Sequence, residues 1–189
     1  FQIKYDYHNA KLALKSKRTG EDVSRLAMDC GRFDAKKVLR GETSAVSAAM
    51  SRAMAQAESE AGHSGDLRMA ELLLDRACYE EMSALASETG STFLKDYVAL
   101  QIDAVNLRTL VRARRMGCED DVFVAAMLPG GHIPAGQLKG ASGDHLSSLT
   151  HGTPLDSAVE LAAKLLDSGG GLTEFERACD DALMSYLQR

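Results

Sequence analysis

Apolar residues recur at helical spacing from the first positions of the chain. Ile3, Tyr7, Ala10 and Leu14 fall at i, i+4, i+7 and i+11, one face of a 3.6-residue helix, so the pattern predicts a helix over 2–18. Leu100, Ala104, Leu107 and Val111 repeat that stripe inside a second predicted helix over 92–116. Gly20 and Gly117 follow as the expected C-terminal stops. After each helix the sequence predicts a short helical piece, over 21–30 and 120–128, then a glycine-containing corner and a small element over 35–39 and 135–138. The stretch 44–61 is rich in Ala and Met and lacks breakers, so it reads as a helix; 62–65 reads as a turn. Asp66 is placed to cap a long helix running to 89. Helices are expected again over 154–166 and 173–187, joined by a loop at 168–171. The segment 129–154 is Gly-rich, holds every proline, and reads as the largest irregular region. Alternating strand patterns are nearly absent, so the fold class is all-α, built from helical hairpins.

The two amphipathic helices also carry the same polar pattern. Asp6, Asn9, Lys11, Lys15, Lys17, Arg18 and Gly20 match Asp103, Asn106, Arg108, Arg112, Arg114, Arg115 and Gly117 with every spacing kept. Each copy is followed by two acids and a valine, Glu21-Asp22-Val23 and Asp120-Asp121-Val122. Asp75-Arg76-Ala77-Cys78 recurs as Glu176-Arg177-Ala178-Cys179, and Gly31-Arg32-Phe33-Asp34-Ala35 aligns with Gly131-His132-Ile133-Pro134-Ala135. These echoes define an internal repeat of about a hundred residues, longer than common short solenoid units. Residues 1–89 form the first repeat region; 90–189 hold the second and the start of a third. A third Asp-x-x-Asn helix is expected past Arg189, and a partner element before Phe1, so the sequence reads as a fragment with one full period flanked by parts of two others.

Composition narrows the function classes. The formal charge is −5, which argues against a general nucleic-acid binder. Aromatic residues make up 5% and Trp is absent, which favours helices packed through small, flexible side chains. No apolar run is long enough to span a membrane, and no signal peptide is visible. Cys30, Cys78, Cys118 and Cys179 form neither a C-x-x-C pair nor a zinc spacing. The equivalent placing of Cys78 and Cys179 suggests a small buried hydrophobe used twice, in a reducing, cytosolic setting.

Candidate chemistry is sparse. The basic residues Lys11, Lys15 and Arg18, and Arg108, Arg112 and Arg115, form their own i, i+4, i+7 stripe on each helix. Such a stripe suits an acidic partner surface, though cations in a last helical turn also complement the helix dipole. Asp6 with Asn9, and Asp103 with Asn106, more often fasten a helix to another backbone or to an Arg of the next unit than position a substrate. The five histidines show no metal-ligand spacing, and the glycine runs lack the Lys-Ser/Thr of a phosphate loop. No cofactor and no catalytic centre are expected. An enzyme using Asp103 and Asn106 with the segment from His132 to His151 is the rival reading, and an unrelated helical scaffold or protein-interaction module is another.

The run Phe93-Leu94-Lys95-Asp96-Tyr97-Val98-Ala99-Leu100-Gln101-Ile102-Asp103-Ala104-Val105-Asn106-Leu107-Arg108-Thr109-Leu110-Val111-Arg112 resembles a signature of the C subunit of the V/A-type ATP synthases, the equivalent of the d subunit of eukaryotic V-ATPases. Tyr5-Asp6-Tyr7-His8-Asn9-Ala10-Lys11 resembles its earlier copy, and Phe175-Glu176-Arg177-Ala178-Cys179-Asp180 the approach to its third. The resemblance covers essentially the whole chain and implies a pseudo-threefold, funnel-like helical subunit, here incomplete. It also implies a non-catalytic part of the central stalk, linking the shaft of the soluble head to the membrane rotor ring and coupling ATP turnover to proton or sodium transport. On that resemblance the partners are shaft subunits and the rotor ring, without nucleic acid and without membrane insertion. The location is cytoplasmic, peripheral on the inner face of the membrane. The six basic residues are then expected to face the funnel lumen or the shaft, or to pair with acids of an adjacent repeat.

Overall fold

The computed structural model describes residues 1–117, 126–139, 141 and 143–188. Among them there are helices, turns and loops but no strand, so the fold is all-α. The chain divides into two compact units, 1–82 and 83–189, with the division inside one long helix.

The first unit opens with α1 (Ile3–Thr19), whose apolar stripe Ile3, Tyr7, Ala10 and Leu14 is buried as its periodicity requires. Gly20 ends the helix at φ +73°, and its N–H donates to the carbonyl of Ser16. The next ten residues depart from the pattern. In place of a helical piece over 21–30 there is one 3₁₀ turn, Ser24–Leu26, because Asp22 accepts the N–H of Ser24 and Asn9 binds the backbone of Met28. These side-chain bonds satisfy peptide groups that a helix would use. The companion stretch 120–128 lies partly outside the described residues.

Asp34 caps α2 (Ala35–Leu39) by accepting the N–H of Lys37. A 3₁₀ turn at Thr43–Ala45 precedes α3 (Ala48–Ser64), so the helix expected from 44 starts later, where Ser47 accepts the N–H of Met50. It also runs later, to the left-handed Gly65 at φ +69°. Asp66 accepts the N–H of Arg68 at the start of α4 (Leu67–Glu88), within which the units divide. Tyr7, Val38, Met50, Ala57, Ala70 and Leu74 fill the first core.

In the second unit α5 (Thr92–Arg115) starts on Ser91, which accepts the N–H of Leu94. Leu100, Ala104, Leu107 and Val111 are buried, as on α1. The short α6 (Ala135–Leu138) repeats α2, and Leu138 is buried like Val38. Helix α7 (Gly143–Thr150) lies in the segment that composition marked as irregular. Two further helices, α8 (Asp156–Ser168) and α9 (Thr173–Leu187), pack on α5. Helix α7 packs on α8, so tertiary burial of Leu146 overrides the glycine content around it. One core joins α5 to α9, with Phe175 and Cys179 fully buried.

Candidate partner-binding residues and the polar clasps

Both polar motifs prove to be clasps. Asn9 donates to the carbonyl of Met28 (2.8 Å) and accepts its N–H (3.0 Å). Asn106 makes the same two bonds to Leu128, at 2.9 and 2.8 Å. Asp6 Oδ1 accepts the N–H groups of Arg32 and Phe33; Asp103 accepts those of His132 and Ile133. One turn of helix thus holds a whole corner of chain through backbone bonds. The corner must approach closely, for a Cβ on Gly31 or Gly131 would fall well inside contact distance of the Asp6 or Asp103 carboxylate. This close approach explains the paired glycines and aligns the two corners residue by residue.

Asp6 also pairs with Arg32 Nε at 2.8 Å, and Arg32 Nη2 reaches Glu81 at 3.0 Å. The arginine is in the same unit as Asp6, where the motif alone suggested the next one. Tyr7 donates to the other oxygen of Glu81, and burial, reinforced by that bond, pushes its hydroxyl well above the usual range. At the second corner His132 Nδ1 lies 3.1 Å from Asp103 and Nε2 lies 3.7 Å from Asp96. Burial pushes the Asp103 carboxyl up, against the pull of the Ile133 and His132 N–H groups.

The basic stripes split into an inner and an outer part. Lys11 pairs with Asp75 of α4. Its counterpart Arg108 donates to Asp180 (2.6 Å) and to the carbonyl of Glu176 (2.9 Å) on α9, while Arg112 pairs with Glu176. Asp75 and Glu176 hold equivalent places in the repeated acid-Arg-Ala-Cys element, the one sequence signal that marks them as partners. Behind them Cys78 and Cys179 are buried, which raises their thiols to about 12 and about 11. Lys15, Arg18 and Arg115 are exposed and make no ion pair among the described residues. Lys17 pairs with Glu58 at 2.8 Å.

Of the rival catalytic set, Asp103 and His132 are brought together beside a cleft, while the other members are not joined to them. Asn106 has both amide groups engaged by Leu128, Asp103 has both oxygens engaged by the corner, and His145 and His151 are exposed.

Residues 1–189 match the family described as ATP synthase (C/AC39) subunit. The chain belongs to this family. Its curated relatives include the C subunit of a V-type ATP synthase from Thermus thermophilus, 29% identical over 64% of this chain and 40% of the relative. The C subunit of an A-type ATP synthase from Haloferax volcanii is 28% identical over 97% of this chain and 57% of the relative. The chain therefore spans between two fifths and three fifths of the length of the relatives it matches. Among the described residues no helix is long and apolar enough to cross a membrane.

Proposed function

We propose that the chain acts as part of a non-catalytic coupling subunit in the central stalk of a V/A-type rotary ATPase or ATP synthase. In that reading it links the rotating shaft of the soluble head to the membrane rotor ring, so that ATP turnover is coupled to proton or sodium transport. Its place would be the cytoplasmic face of the membrane, as a peripheral component. The observation that carries the reading is the family match over 1–189. The duplicated clasps support it, because their polar groups are spent on holding backbone rather than presented to a substrate.

Within this reading the outer basic residues Lys15, Arg18 and Arg115 meet an acidic partner surface, and Arg112 joins them from its half-exposed position over Glu176. The inner residues Lys11 and Arg108 brace their own units and act on a partner only through that bracing. Charge reversal separates the two roles. Lys15→Glu with Arg18→Glu and Arg115→Glu in the complete subunit is expected to reduce co-purification with shaft subunits while leaving the melting temperature near wild type. Arg108→Glu is expected to lower the melting temperature. Unchanged co-purification of the triple variant at low salt would remove these three residues from the binding surface.

A further inference from the structure

The two corners differ at one position. In the first unit Arg32 follows Gly31, and its guanidinium bridges Asp6 and Glu81 while lying 4.8 Å from the centre of the Phe33 ring. In the second unit His132 stands at the same place, so the buried Asp103 faces an imidazole where Asp6 faces a permanent cation. A buried carboxylate without a full counter-charge is costly to keep ionised. The elevated carboxyl of Asp103 agrees with that imbalance.

Beside this corner opens a cleft of about 330 Å³. Asp96, Asp103, His132, Leu100, Leu155 and Tyr186 are among the residues that line it. Among the described residues, no Lys or Arg lines it. Tyr186 is itself fixed by stacking on Phe93, with ring centres 5.1 Å apart. His132 Nε2 and the exposed Asp96 carboxylate lie 3.7 Å apart, too far for a direct hydrogen bond. Carboxylate beside a rigid aromatic and apolar wall is the chemistry that holds a guanidinium, through charge-assisted bonds at its edge and stacking on its face.

We propose that this cleft receives an arginine side chain of a partner protein, whose guanidinium meets the exposed Asp96 carboxylate and packs against Tyr186. The proposal does not rest on the rotary reading. Its test is a titration of N-acetyl-arginine amide into methyl-labelled protein, with N-acetyl-lysine amide in parallel. Saturable shifts confined to methyls of Leu100, Ile133, Leu149 and Leu155, with arginine several-fold tighter than lysine, are expected. Asp96→Asn should weaken binding about tenfold, the loss of one charge-assisted bond. His132→Arg, which supplies the guanidinium from the chain itself, should weaken it at least as much. Asp96 is on the surface, so D96N decides the matter if H132R fails to fold. Shifts that do not saturate, equal affinity for lysine, or wild-type binding by D96N would each overturn the proposal.

Discussion

Asn9 and Asn106 make the same pair of bonds in different surroundings. Met28 is 41% exposed, so water can replace Asn9 when the side chain is removed; Leu128 is 4% exposed and its peptide groups would be stranded. Asn106→Ala is therefore expected to cost about 3 kcal/mol and Asn9→Ala about 1 kcal/mol, read from urea unfolding. Asp103 makes a second prediction, in pH. Burial raises its carboxyl above the ordinary aspartate range, so the folded protein holds this proton more tightly than the unfolded chain. Its contribution is fully present below the unfolded value and is lost as pH rises through the folded one. The stability of wild type relative to Asp103→Asn should therefore fall as pH rises upward from the ordinary aspartate range. Only the difference between the two proteins is diagnostic. Asp22 and Asp34 are held below the usual range by the backbone N–H groups of Ser24 and Lys37, and contribute with the opposite sign. The Asp-x-x-Asn spacing exposed these residues in the sequence, but nothing in it named Met28, Leu128 or Arg32 as their partners. Those lie about twenty to thirty positions away, beyond the reach of a helical period.

At the scale of elements, α5 and α9 are joined by a shared core and by Arg108. The arginine is largely buried and bonds a backbone carbonyl as well as a carboxylate, whereas the Asp180 end of the pair is mostly exposed. The exposed end is screened and contributes little, and Arg108 Nε is buried without an acceptor among the described residues, which offsets part of the gain. Arg108→Ala is expected to cost about 2 kcal/mol, mostly from the carbonyl bond and lost packing. Lys11→Ala, losing a more exposed point charge, should cost about 0.5 kcal/mol in the same unfolding measurement. Equal costs would show that the two braces are not distinguished by burial. Element identity was legible wherever a long apolar stripe ran, as in α1, α5 and α9. It failed for 21–30, where side chains of Asp22 and Asn9 take the backbone groups a helix needs, and for α7, which exists because Leu146 is buried within the second unit's core.

For the whole molecule, the net charge of −5 contrasts with the exposed cations that end each repeat helix. Binding through Lys15, Arg18 and Arg115 to an acidic surface would then be local and strongly screened. On the proposed coupling role, association with shaft subunits is expected to slow several-fold between about 0.05 M and about 0.5 M salt, and the triple charge reversal should flatten that dependence. A rate independent of salt in the wild type would place the contact elsewhere. By itself, the sequence determined the all-α class, the repeat, the family and the equivalence of the two corners, because each of these is written in periodic or recurring local patterns. Tertiary structure decided which cations are spent within the chain and which remain exposed. It also decided that Asp-x-x-Asn is a clasp, and that His132 opens onto a cleft where Arg32 fills its own corner. Those outcomes depend on how distant segments meet, and on how much water each meeting leaves around a charge.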